Sequence, residues 1–234
     1  MTISGHLIVV VGMIRESRII GDGPMIVFGR NWARTLARGL ERPGAAALSF
    51  GICGGLDPEL KPGDLVVGRA VANGETRLAA DPAWSDALAA LLPGASRDDV
   101  LGQDAMVAGA EAKTDLRLGT GAAVVDMESH VVARLAAQAG RPFAVLRAVA
   151  DGAGHALPRA AQVGLKENGD ADVGAVLRAL LARPGDLGAL IRTARGAGAA
   201  FRALAHARHL LGPGLGCPYL GEHLVDVAGE HEVG

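Results

Sequence analysis

From Phe143 to Ala150 every residue except Arg147 is apolar, and the run ends abruptly at Asp151-Gly152. A strand without polar alternation has to be covered on both faces, the pattern of a sheet packed between helices. Ile3 to Val11, rich in β-branched residues and ending at Gly12, suits a central strand as well, and Ala45 to Phe50 another buried one. Open α/β sheets bind ligands beyond the carboxyl ends of such strands, so the acid that closes the 143–150 run stands where chemistry is usually done.

The intervening segments supply helices. Trp32, Leu36 and Leu40 predict one over 31–40, stopped at Pro43-Gly44, and Ala83 to Leu92 predicts another. Leu65 to Ala72 is a strand entered through the turn Pro62-Gly63-Asp64, Asp98 to Val107 a strand with irregular edges, and 109–118 a polar helix or loop. After a short strand from Ala122 to Val125, the spacing of Met127, Val131, Leu135 and Ala139 predicts a helix that ends at Gly140 and holds Glu128 in its first turn. GMIRES after the first strand reads as a loop, and Gly21-Asp22-Gly23-Pro24 as a hairpin-like return into Met25 to Phe28.

Beyond Pro158 two amphipathic helices follow, around Val173–Leu181 and Leu187–Ile191, and Ala199 to Leu211 forms a further Ala/Leu stripe. The expectation is one α/β/α domain over residues 1–211 with a mixed, twisted central sheet, residues 173–211 being its C-terminal helices and 212–234 a loosely held tail.

Composition removes several function classes. A formal net charge of −2 provides no field for a nucleic-acid backbone. The chain has no Gly-Lys-Ser/Thr phosphate loop, no GxGxxG after a strand, no HExxH and no GxSxG elbow. His206 and His209 sit on a helix face, and Glu222, His223, Glu230 and His231 decorate the tail without a second ligand pair in the core, so no metal is expected. Cys53 and Cys217 are too few for a disulfide framework, which makes a reducing cytoplasm the expected compartment. The first apolar run lacks a secretory leader's charged flank and is too short to span a bilayer.

Three segments carry a joint signal: SFGICGGLDPELKPGDLVV at 49–67, VVDMESHVVARLAAQAG at 124–140 and PFAVLRAVADGAG at 142–154. Together they resemble the nucleoside phosphorylase superfamily, which holds purine and uridine phosphorylases and the methylthioadenosine/S-adenosylhomocysteine nucleosidases. GLDPEL, GQDAMVAGAEAKTDLRLGTGAAVVDMES, GHALPRAA and RPGDLGALIRTARGAGAAFRAL are most similar to its hopanoid-associated branch. That resemblance implies cleavage of the N-ribosidic bond of adenosylhopane with phosphate as co-substrate and no resident cofactor. A hydrolytic nucleosidase and a non-catalytic nucleoside-binding module are the alternatives.

The chemistry assigns roles. A departing purine needs a proton or hydrogen bond at N7, which a carboxyl group raised in pKa by an apolar pocket can give; Asp151 is the candidate, and an Asp-Gly turn is its other reading. Glu128 can accept both ribose hydroxyls and oppose charge growing on the sugar, or merely complement a helix dipole. Met127 packs against sugar or base, or fills core. Gly51, Ile52, Cys53, Gly54 and Gly55 offer backbone amides to a base or an anion, although family members often carry Ser or Thr where Ile52 stands.

Arg15, Arg18 and Arg30 are the candidates for holding phosphate. The related nucleosidases use a first-loop glutamate to handle water, and an ungapped alignment puts Ser17 at that place with Glu16 beside it. The resemblance also implies a homo-oligomer. The partner expected is a nucleoside with an apolar 5′ group. An apolar face flanked by Arg178, Arg183, Arg192, Arg195, Arg202 and Arg208 suits peripheral contact with the inner membrane, against the reading that these helices pack on the sheet.

Overall fold

The computed structural model describes residues 6–158, 161, 178–179 and 182–220. Eight strands make one sheet, β1 (Leu7–Val10), β2 (Met25–Val27), β3 (Ala46–Gly55), β4 (Leu65–Asn73), β5 (Thr76–Ala79), β6 (Ser96–Gly102), β7 (Val124–Asp126) and β8 (Phe143–Asp151). Pairing runs β2-β1-β3-β7-β6-β4-β5, and β8 lies between β3 and β4, parallel to the first and antiparallel to the second. The circuit β3-β8-β4-β6-β7 therefore closes on itself through the antiparallel β3–β7 contact.

Helices cover both faces. On one side lie α1 (Ile14–Ile20), α3 (Pro82–Leu91) and α6 (Leu187–Leu211), whose Ile20, Leu88 and Leu204 share a core with Leu7, Leu48 and Leu146. On the other, Leu36 of α2 (Trp32–Leu40) and Val132 of α5 (Ser129–Gln138) join Ile8, Ala47 and Val145. Successive residues of β1, β3 and β8 thus feed opposite cores, as the strand period of two requires. The expected mixed α/β/α architecture is observed.

The local departures have physical causes. Met25–Val27 does not return as a hairpin: β2 runs parallel to β1. A parallel neighbour needs a crossover, and the segment read as a loop supplies it as α1. The irregular strand at 98–107 stops at Gly102, where an added Cβ would lie 2.2 Å from His130 Cβ. The segment at 109–118 resolves as a helix, α4 (Ala110–Thr120).

Residues 187–211 form one unbroken helix where two stretches were expected. Gly196, in the middle of α6, lets the helix press on β8: a Cβ there would collide with the Ala150 carbonyl oxygen. The helix spends its apolar face on the sheet through Ala200, Phe201, Leu204 and Ala207, while Arg208 donates to the Ile20 carbonyl at 2.8 Å. The helix expected around 173–181 lies outside the described residues except for 178–179, which are helical, and no helix among the described residues is long and apolar enough to cross a membrane.

As far as residue 220 the expected loose tail is packed. Leu215 is buried, its carbonyl accepts Trp84 Nε1 at 3.0 Å, and Tyr219 Oη donates to Asp81 at 2.7 Å.

Candidate active site

The carboxyl ends of β1, β3, β7 and β8 open into one cavity of about 690 Å³. Asp151, the last residue of β8, lies on its wall, and so do Met127 and Glu128, which join β7 to α5. Ile52, Cys53 and Gly54 of β3 line it, whereas Gly55, one residue further on, lies against the Asp151 carbonyl. The three segments distant in sequence do converge on one space.

Glu16 is the acid that the residue-by-residue alignment set one place aside. It is buried at the start of α1 and lines the cavity. Its Oε2 accepts the amides of Gly12 and Met13 at 2.8 and 2.9 Å, and its Oε1 accepts the Ile52 amide at 2.8 Å. A side chain at Gly51 would collide with it, since a Cβ there lies 2.5 Å from Glu16 Oε1 and 2.7 Å from Arg147 Nη1. Gly12 makes the same room for Glu128, since a Cβ there would lie 2.6 Å from its Oε1. These glycines are small because carboxylates occupy the space beside them.

Arg147, the one charged residue of β8 before its terminal Asp151, organises the cluster. It points to the α5 side, where its Nε meets Asp126 Oδ2 at 2.5 Å and its Nη2 lies 3.4 Å from Glu128 Oε2. The same Nη2 donates to Ser49 Oγ at 2.6 Å and Ser129 Oγ at 3.2 Å, and Ser129 also bonds Asp126. A buried guanidinium survives only when it is paired; this one has carboxylates on two sides and hydrogen bonds through Nη2, while its Nε meets Asp126 as an ion pair without hydrogen-bond geometry.

Glu16, Asp126 and Glu128 surround the single guanidinium, too many negative charges for one cation. Burial pushes the Glu16 carboxyl up to about 7 against the opposing pull of Arg147. Glu128 is raised as well, by burial first and then by Asp126, with Arg147 opposing. Burial also holds Asp151 above the ordinary range, opposed by Lys113. The Cys53 thiol is driven far up by burial, which leaves it neutral and unreactive at physiological pH.

Of the arginines expected to hold phosphate, Arg30 lines the cavity. Arg15 and Arg18 are exposed on α1 outside it, and Arg15 stacks over the Phe201 ring of α6 at 4.2 Å. A helix in place of the expected loop turns them outward while Glu16 points in.

A family model described as the phosphorylase superfamily matches residues 33–183, more than half of the chain. The chain belongs to the phosphorylase superfamily. Solved structures agree on the superfamily fold. A 5′-methylthioadenosine/S-adenosylhomocysteine nucleosidase from Helicobacter pylori superposes with a TM-score of 0.56 at 17% identity, covering 86% of this chain and 96% of that one. Futalosine hydrolase of the same organism gives 0.57 at 16% identity over 87% and 96%. An S-adenosylhomocysteine nucleosidase from Streptococcus pyogenes gives 0.55 at 17% identity over 84% and 95%. No curated protein matches the chain.

Sequence reasoning passed over Arg147, Asp126 and Lys113. The signal for Arg147 was present, because a lone charge in a doubly covered strand has to have partners. Nothing local marked Lys113 as buried.

Proposed function

We propose that this phosphorylase-superfamily chain cleaves the N-ribosidic bond of an adenosine bearing an apolar 5′ substituent and releases adenine, with water as the nucleophile. The observation that carries the reading is that three carboxyl groups with raised pKa, Glu16, Glu128 and Asp151, line one cavity from three separate elements. Asp151 gives a proton to the base as the C1′–N9 electron pair leaves with it. Glu128 accepts the ribose hydroxyls and opposes the charge growing on the sugar. Glu16, titrating near neutrality, takes the proton of the attacking water.

The choice of water over phosphate rests on the amides. Gly12, Met13 and Ile52 would be natural donors to an anion, yet they already serve the Glu16 carboxylate, a built-in anion at that place. Arg30 on the cavity wall favours phosphate as a second reading. Met13, Trp32, Met106, Val107 and Leu157 give the cavity an apolar wall suited to a hydrocarbon 5′ group, of which a hopanoid is one candidate. The test incubates the protein with adenosylhopane and with methylthioadenosine, each with and without phosphate, and follows adenine. Release from either without phosphate supports the reading, and release from neither overturns it.

A further inference from the structure

Lys113 of α4 is fully buried and does not line the cavity. Its ammonium reaches the loop after β8, where it donates to Asp151 Oδ2, to the Gly152 carbonyl at 3.0 Å and to the His155 carbonyl at 3.1 Å. Each of its three N–H groups has an acceptor. Removing an ammonium from water is costly, and an apolar chain of similar volume would fill the same space without that cost. The lysine's value therefore lies in what it does to Asp151.

We propose that Lys113 is a positioning residue for the leaving-group acid, holding one oxygen of Asp151 so that the other faces the cavity and stabilising the carboxylate left after the proton departs. The step balances. The O–H bond of Asp151 breaks, N7 of the base gains the proton, the C1′–N9 bond breaks with its electron pair moving to the base, and the remaining carboxylate faces the Lys113 ammonium until solvent returns a proton. The proposal rests on the reading of Asp151 as the acid.

Other charged or titratable groups stand near Asp151. Cys53 of β3 is close enough for its thiol to feel the charges of Asp151, Lys113, Asp126 and Arg147. His155 faces it from the loop, bonds Thr193 Oγ1 of α6 at 2.9 Å and is held below its ordinary pKa by burial first, with Asp151 opposing and Lys113 and Arg192 adding to the depression. Of these, Lys113 is the cation in contact with the carboxylate.

Lys113→Met should lower kcat at least about tenfold and move the alkaline limb of the kcat/KM profile upward by about one to three pH units, because an acid that loses a neighbouring cation holds its proton to higher pH. Lys113→Arg, which keeps the charge, should restore part of the rate and the original limb. In an Asp151→Asn background, Lys113→Met should cost little more, because its effect passes through the carboxyl group. A uniform fall in rate with an unmoved pH profile would overturn the proposal.

The unaltered protein offers a test that needs no turnover. Lys61, Lys113 and Lys166 are its only lysines, so lysine-selective 15Nζ NMR can follow Lys113 directly. Adding adenine should shift the Lys113 signal, and the shift should disappear in Asp151→Asn. A signal that ignores adenine overturns the proposal. A wild-type protein that binds adenine and shifts the signal but cleaves no nucleoside would instead contradict the functional reading alone.

Discussion

Glu16 Oε1 accepts the Ile52 amide at 2.8 Å, fastening the start of α1 to β3 in the wall of the cavity. Ile52 offers no hydroxyl, yet the position still contributes through its backbone. It fixes the orientation of an acid that titrates near neutrality.

Activity should therefore fall as the medium is acidified through about pH 7, since burial raises the Glu16 carboxyl to that value and a general base must be deprotonated to act. A pH profile of kcat/KM checks this. Glu16→Gln should remove the acid limb together with at least about a hundredfold of the rate. Rates unchanged by the substitution would make Glu16 a structural anchor.

Asp151→Asn should lower turnover by at least about a hundredfold with folding retained, general acid catalysis being typically worth that much or more. Adenine release by chromatography and a thermal melt together decide it. Near-normal release would return Asp151 to the role of a turn residue.

Glu128→Gln should hurt ribosides far more than 2′-deoxyribosides, because the hydrogen bonds assigned to it go to the sugar hydroxyls. The ratio of kcat/KM values for adenosine and 2′-deoxyadenosine analogues is the readout. Equal losses would assign Glu128 to the start of α5.

Gly196→Ala should destabilise the fold by about 1–3 kcal/mol or more, since the added Cβ would lie 2.2 Å from the Ala150 carbonyl, a rigid part of β8. Denaturant unfolding measures it. A neutral result would mean that α6 can move off the sheet at little cost.

The strands were legible in the sequence because residues covered on both faces are apolar throughout, and the acids at their ends followed from strand direction. What pairs with what was not legible. A seven-residue helix carrying Arg-Glu-Ser has no apolar period long enough to stand out, so α1 looked like a loop and the β1–β2 crossover like a hairpin. Its helical turn also decides that Glu16 faces the cavity while Arg15 and Arg18 face outward. The helix over 187–211 was legible only as two stretches, because Gly196 and Gly198 dilute its apolar stripe between them. Lys113 sits among polar neighbours on α4, and only the tertiary fold carries it to Asp151.

Product analysis tests the central claim most directly. The protein is incubated with a 5′-alkylthio-adenosine in phosphate-free buffer and again in phosphate, with adenine followed by chromatography and sugar products by proton and phosphorus NMR. The account predicts adenine and free 5′-substituted ribose at the same rate in both buffers, with no sugar 1-phosphate. Adenine release that depends on phosphate and yields the sugar 1-phosphate would contradict it.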